Sequence, residues 1–393
     1  MPDFDAVQGK KVLFVFGCLD LGGSERQGFQ LARHLKEACA ADVHVVSLSD
    51  TPGRLAEMCE GHGIPWHVAR LHWSGFWPLR LRALSRFAAE LGKLGPDILL
   101  PYYALPNIAC GLVWQRAGAR LCVWNQRDEG LLLTRTVWHR TAVRRTPLFI
   151  ANADGGRDFL ARTYQIDPDR VTVIHNGISL AQPVRGRNEW REKLGIGTDC
   201  PVACMVANLG PYKDHETLLL AWRAVVDRVP SRGERPVLLL AGKPDKSEES
   251  LKGLASRLEL TDSVRFLGKV DDISGLLSAA DLCVHSSKTE GCPNGVLEAM
   301  AAGLPVVGTD IPGIREAVGK AGDGFLSPVG DHRQMADIII RLMGDRALRR
   351  HAGEALKKRI EEEFSLERMC TRTVRLLGES LRRPPVDSGA SAL

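Results

Sequence analysis

Short apolar runs, each closed by a polar turn and followed by a longer stretch of helical periodicity, recur from one end of the chain to the other. The first series predicts strands at Lys11–Phe16, 42–48, 64–68, 97–101, 120–124, 148–151 and 171–174. A second series predicts strands at 201–206, 237–241, 264–267, 282–285, 305–307 and 324–326. Helix-like segments separate most of these runs, and that alternation calls for parallel sheets covered on both faces. Between the two series, Ser179 to Arg187 includes Pro183 and Gly186 and has the composition of a linker. The expected fold is therefore α/β, with Rossmann-like domains in tandem over residues 1–182 and 183–364 and a ligand cleft between the C-terminal edges of their sheets. Residues 346–383 read as helix with a break near Phe364-Ser365, and Pro384 to Leu393 has the composition of a disordered tail.

Composition narrows the class. At 393 residues, 44% hydrophobic and 25% charged, the chain suits a water-soluble protein with two cores. Ten cysteines form no CxxC pair and several fall inside apolar strands, which predicts buried free thiols in a reducing compartment such as the cytoplasm. The start, Met1 to Asp5, is acidic and leads into no apolar h-region, so a secretory signal is not expected, and no run is long enough to cross a bilayer. The net charge of +5 lies wholly in residues 1–185, with 22 Lys/Arg against 17 Asp/Glu; the remainder has 30 of each. That excess is too modest for a nucleic-acid binder, and no groove-reading helix or aromatic RNA platform accompanies it.

Candidate chemistry concentrates between Ser286 and Gly308, where Glu290 and Glu298 flank a Pro293-Asn294-Gly295 turn. The stretch reads as loop, helix, then strand, with Pro293 in the first helical turn and small residues leaving the following amides open to a phosphate or pyrophosphate. By itself such a pair of glutamates is commonly just a solvated face. Three other features occur with it: the Gly22-Gly23-Ser24-Glu25 turn after the first strand, Asn176-Gly177-Ile178, and the loop from Asn208 to Lys213.

In that order and at those distances, the four features resemble the retaining GT-B glycosyltransferases of family GT4, with Glu290 to Glu298 as the EX7E motif. The resemblance covers nearly the whole chain and implies a nucleotide-sugar donor held mainly by the second domain. It assigns Glu298 to the ribose hydroxyls and Glu290 to the transferred sugar, and Lys213 with the amides near Asn294 and Gly295 to the departing pyrophosphate. Gly22 and Gly23 would reach the same phosphates from the first domain, the backbone near Val270 would meet the base, and the final helix, about 365–383, would cross back to the first domain. Two departures stand out: Asn208 occupies the place of an arginine, and the segment Trp124 to Glu129 has no histidine where many members carry one. Arg127 either faces the donor from that wall or is a surface arginine.

Preorganised donors in a dry cleft can stabilise a diphosphate leaving group without a metal ion. Asp271 and Asp272 read as caps or turns, so neither a metal nor another cofactor is expected. The donor base (UDP, GDP, ADP or dTDP), the sugar and the acceptor stay open. A sugar-nucleotide epimerase on the same fold, or a nucleotide-sugar-binding protein without transferase activity, are the alternatives. On the acceptor side, the interval between Glu60 and Glu90 holds no acid but contains Arg70, Arg80, Arg82, Arg86, Trp66, Trp73, Phe76 and Trp77. Arg135, Arg140, Arg144 and Arg145 lie in a second acid-free interval. Such residues suit a lipid-linked or other anionic acceptor at the cytoplasmic membrane face, or else tryptophans packed inside the domain beside a solvated arginine face.

Overall fold

The computed structural model describes residues 4–130, 133, 135–229, 235–245 and 247–382. It divides into two compact units, one of residues 1–177 with 366–393 and one of residues 178–365. The change of unit falls after Gly177, one residue ahead of the linker-like segment, because Ile178 donates its amide to the Phe364 carbonyl at 2.8 Å and bridges to Ser365. The tail expected at 384–393 lies outside the described residues.

The first unit is built on a parallel sheet of β1 (Lys11–Phe16), β2 (Asp42–Ser47), β3 (Trp66–Val68), β4 (Ile98–Pro101), β5 (Leu121–Gln126), β6 (Leu148–Ala151) and β7 (Val171–Val173), in the order β3-β2-β1-β4-β5-β6-β7. Its central strands are buried on both faces, which explains their unbroken apolar runs. β5 runs two residues past its expected end. Asn125 and Gln126 stay in the ladder because their side chains find partners there: Asn125 donates to the Pro101 carbonyl at 2.9 Å, and Trp124 donates to Gln126 at 2.9 Å.

The second unit repeats the plan with β8 (Val202–Val206), β9 (Val237–Ala241), β10 (Val264–Gly268), β11 (Leu282–His285), β12 (Val306–Thr309) and β13 (Leu326–Ser327), in the order β10-β9-β8-β11-β12-β13. Here the strand expected at 324–326 is instead a 3-10 turn, Asp323–Phe325, followed by the two residues of β13. In both sheets the order reverses direction beside the first strand of the unit, the position where ligands bind in doubly wound sheets.

The long C-terminal helical region breaks between Glu363 and Leu366. The helix Leu366–Arg382 then packs on the first unit, where Cys370, Val374 and Leu377 join the core formed by Phe14, Phe16, Phe29 and Leu35. Its apolar positions recur at helical spacing, so one face closes that core and the other stays polar. Leu377→Ala should cost the first unit about 2–5 kcal/mol by leaving a cavity. Urea unfolding followed by a probe in each unit should show the first unit's transition move to lower denaturant.

Candidate functional site

Two loops at the C-terminal ends of β8 and β11 make the centre of the second unit's site. Pro211 starts a one-turn 3-10 segment, Pro211–Lys213, which ends at Asp214 in the left-handed region (φ 42, ψ 41) before the helix His215–Arg228. A non-glycine residue there stores backbone strain and needs fixed surroundings. The loop after β11 supplies them. Ser286 donates its hydroxyl to the Lys213 carbonyl at 3.1 Å, and Lys288 donates its amide to the Tyr212 carbonyl at 2.8 Å. Farther along, Ser287 donates its amide to the Thr309 hydroxyl at 2.9 Å, and that hydroxyl returns a bond to the Ser287 carbonyl at 2.7 Å.

With the loops tied, three groups converge on one oxygen of Glu290. Oε1 accepts the Lys213 ammonium, the Ser287 hydroxyl at 2.7 Å and the His285 Nε2 at 3.0 Å, while Oε2 takes no bond from the described residues. Burial by itself would raise the Glu290 pKa, but the Lys213 charge and the His285 bond hold the carboxyl far below the usual range. Glu290 is therefore ionised, so His285 carries its hydrogen on Nε2 and leaves a bare Nδ1, which is buried without a partner. Burial also lowers the His285 pKa, against the pull of Glu290, which keeps the ring neutral near pH 7.

A second imidazole stands beside this pair. His215 is 3% exposed, and neither ring nitrogen has a hydrogen-bond partner. Its pKa is lowered to about 4 by burial first, then by His285 and Lys213.

The helix Asn294–Ala301 begins one residue later than expected, with Pro293 as its N-cap rather than in its first turn. Pro293 places its carbonyl to accept the Val296 and Leu297 amides at 3.1 Å. Asn294 and Gly295 are thus the first two helical residues, at the positive end of the helix dipole. Gly295 is required by close approach: a Cβ there would lie 2.1 Å from the Val206 carbonyl oxygen. Glu298 sits in the next turn, 4% exposed and close enough to β11 to raise the Cys283 pKa. Asn208 does not imitate an arginine. Its Oδ1 accepts the Lys243 amide at 3.0 Å, tying the loop after β8 to the loop after β9. Val270 is half-buried in the loop after β10, and the following Asp272 caps the helix Ile273–Ala279 through the Gly275 amide at 3.1 Å.

In the first unit the structure brings Gly22, Gly23 and Arg127 together. Gly22 is the N-cap of the helix Gly23–Cys39, and a Cβ on it would meet the Glu25 carboxylate at 2.5 Å. Burial raises the Glu25 pKa, opposed by hydrogen bonds from its own amide and that of Gly22 and by the Arg127 charge. The Gly22 amide therefore has an internal acceptor in Glu25, where the sequence suggested an open amide. Arg127 lies half-buried with its guanidinium 5.1 Å from the Tyr102 ring and its Nε buried without a partner. That is not the environment of a solvated surface arginine.

Sequence reasoning assigned no role to His285, Ser287, His215 or Glu25. His215 follows Lys213 by two positions and Ser287 precedes Glu290 by three, so only adjacency in the motifs hinted at them.

Residues 186–359 match the family model described as Glycosyl transferases group 1, and residues 21–182 match that of Glycosyltransferase Family 4. N-acetyl-alpha-D-glucosaminyl L-malate synthase of Bacillus anthracis is 26% identical over 388 residues, 92% of this chain and 95% of that protein. D-inositol 3-phosphate glycosyltransferase 2 of Catenulispora acidiphila is 32% identical over 321 residues, 80% of this chain and 72% of that protein. The crystal structure of Anabaena Alr3699/HepE in complex with UDP and glucose shares the fold, with a TM-score of 0.78 at 21% identity over 94% of this chain and 100% of that one.

Removing Lys213 leaves the buried Glu290 charge without its ion partner, so Lys213→Ala should lower stability by about 2–4 kcal/mol at pH 7. In a Glu290→Gln background the same change should cost far less, which a double-mutant cycle by denaturant titration would measure. His215 adds a pH dependence of known sign. Its folded pKa of about 4 lies below the unfolded value of 6.5, so the unfolded chain binds more protons between them and stability falls as pH drops through that window. The full loss is about 3 kcal/mol, and His215→Gln should flatten the stability profile between about pH 6.5 and 4.

Proposed function

We propose a donor, an acceptor class and a stereochemical course on one premise: this chain belongs to glycosyltransferase family 4, and is a glycosyltransferase of GT-B fold. The proposed reaction moves a sugar from a nucleotide-sugar donor to an acceptor hydroxyl, with retention of configuration and no metal ion, in polysaccharide, glycolipid or other glycoconjugate synthesis. The observation that carries this reading is the Lys213–Glu290 pair set at the start of the helix Asn294–Ala301.

The leaving diphosphate carries the charge to be stabilised. Lys213 supplies a cation and the amides at the helix start supply donors, so the second unit offers positive potential without a bound ion. Glu290 presents Oε2 to a hydroxyl of the transferred sugar while its other oxygen stays held. Glu298, in the next turn of the same helix, accepts from the ribose hydroxyls, and the backbone at Val270 lies against the base. In the transfer, the bond from the anomeric carbon to the phosphate oxygen breaks and a bond from the acceptor oxygen forms on the same face. The acceptor proton passes to the departing phosphate oxygen, so no separate base is required.

Taken by itself, the first unit offers an anion-binding candidate at Gly22, Gly23 and Arg127, where Arg127 has an unpartnered, half-buried guanidinium Nε. The ten cysteines are all free thiols, which supports a cytoplasmic setting. The HepE structure holds UDP and glucose, which puts UDP-sugars first among the UDP-, GDP-, ADP- and dTDP-linked donors.

A thermal-shift panel of those nucleotide sugars should yield one donor that raises the melting temperature, since a ligand at about 100 times its Kd stabilises by about 2.7 kcal/mol. Glu298→Ala should abolish the shift, and Lys213→Ala should reduce turnover by two orders of magnitude or more, about 3 kcal/mol. Binding and turnover intact in both variants would refute the site, and an inverted product anomer by NMR would refute the stereochemistry.

A further inference from the structure

The first unit leaves an apolar surface that its own core does not use. Of the ten large apolar side chains exposed among the described residues, Phe76, Trp77, Leu79 and Leu81 fall within six consecutive positions. Phe76 and Trp77 are 64% and 61% exposed. They begin the helix Trp77–Lys93, whose buried face is formed by Leu84, Phe87, Ala88 and Leu91. Trp77 and Leu81 continue that same stripe toward the N-terminus, at spacings of four and three residues, yet both are exposed among the described residues. The stripe thus runs out of the core and onto the surface, and two large side chains beside it, Phe76 and Leu79, are also uncovered.

The projection is tied to its surroundings. Arg80 donates through Nε to the Ser74 carbonyl at 2.7 Å and lies over two indoles, its guanidinium 4.5 Å from the Trp73 ring and 5.1 Å from the Trp138 ring. The Trp73 and Trp138 rings meet edge to face at 6.2 Å, which joins the segment to the start of the helix Val137–Arg145. Val137, 70% exposed, extends the apolar area from that second helix.

Charge distinguishes among occupants. Arg82 and Arg86 are exposed on the same helix and pair with no carboxylate among the described residues, and no acid occurs between Glu60 and Glu90. Arg140, also exposed, lies on the second helix. Large apolar and aromatic side chains at the tip of a helix that carries unpaired arginines further along complement an interface whose outer layer is anionic and whose inner layer is hydrocarbon. A protein partner would need an acidic rim around an apolar socket; an anionic bilayer offers both layers along its whole surface.

We propose that the N-terminal end of the helix Trp77–Lys93, with Val137 beside it, is a membrane-docking surface for anionic phospholipid. Phe76, Trp77, Leu79 and Leu81 enter the boundary between headgroups and acyl chains, and Arg82, Arg86 and Arg140 remain at the phosphate level. Because these residues belong to the first unit and Glu290, Lys213 and Glu298 to the second, the surface stands or falls independently of the donor reading.

The test is sedimentation of the full chain with vesicles of phosphatidylcholine alone and with about one third phosphatidylglycerol, at low and moderate salt. Wild-type protein should bind the anionic vesicles, with weaker binding at moderate salt and a blue shift of tryptophan emission. The pair Phe76→Ser and Trp77→Ser should reduce partitioning at both salt concentrations and remove most of the blue shift. Arg82→Gln with Arg86→Gln should reduce binding to anionic vesicles about tenfold or more and leave little preference over phosphatidylcholine. Both pairs change exposed residues, so melting temperature and the donor-induced thermal shift should match wild type. Absence of wild-type binding at either salt overturns the proposal, as does wild-type-like partitioning of both variants. A dimer by analytical ultracentrifugation that Trp77→Ser dissociates, without vesicle binding, would instead assign the surface to a second copy of the chain.

Discussion

A buried carboxylate is the constraint around which the second unit is arranged. Burial alone would raise the Glu290 pKa, and the side chain is ionised because Lys213 and His285 reach Oε1, where Ser287 also donates. An unpaired buried charge costs several kcal/mol, so each of these groups must arrive in the correct place together. That requirement explains the bonds zipping the loop after β11 to the turn at Lys213, and the left-handed backbone at Asp214 that aims the chain into its next helix. The geometry of the candidate site and local stability thus depend on the same contacts.

The constraint also explains the neutral histidines. An imidazolium beside Lys213 in a buried setting would add a second cation where one carboxylate is available, and both His215 and His285 are held neutral. Their bare nitrogens are costly in a closed core but usable where polar ligand groups arrive. Arg127 in the first unit follows the same logic, with an Nε buried and unpartnered beside Tyr102. Each unit therefore keeps polar capacity unspent at the C-terminal end of its sheet, where the fold class binds ligands.

Elsewhere the chain spends its apolar side chains on cores. The helix Leu366–Arg382 closes the first unit, and the central strands are covered on both faces. The stretch Phe76 to Leu81 departs from that economy, since its side chains extend a core stripe past the core's edge. Trp73, Arg80 and Trp138 pack against one another beside it, which ties the segment to a second helix.

Much of this was legible in the sequence, because strand burial and helix amphipathicity leave a local imprint. Apolar runs located nearly every strand, the break at Phe364-Ser365 marked the helix that belongs to the first unit, and the Gly22-Gly23 turn, Asn176-Gly177-Ile178, the Lys213 loop and Glu290 to Glu298 together marked the family. Failures came where a contact distant in sequence decided the outcome. β5 lengthened because Asn125 found Pro101, 24 positions away, and Asn208 turned to Lys243, 35 positions away. The sequence by itself determined two Rossmann-like units and the residue types of the site, since periodicity and turn chemistry act over a few neighbours. Only the tertiary structure decided that Lys213, His285 and Ser287 share one oxygen of Glu290, because that depends on strands far apart in the chain lying side by side.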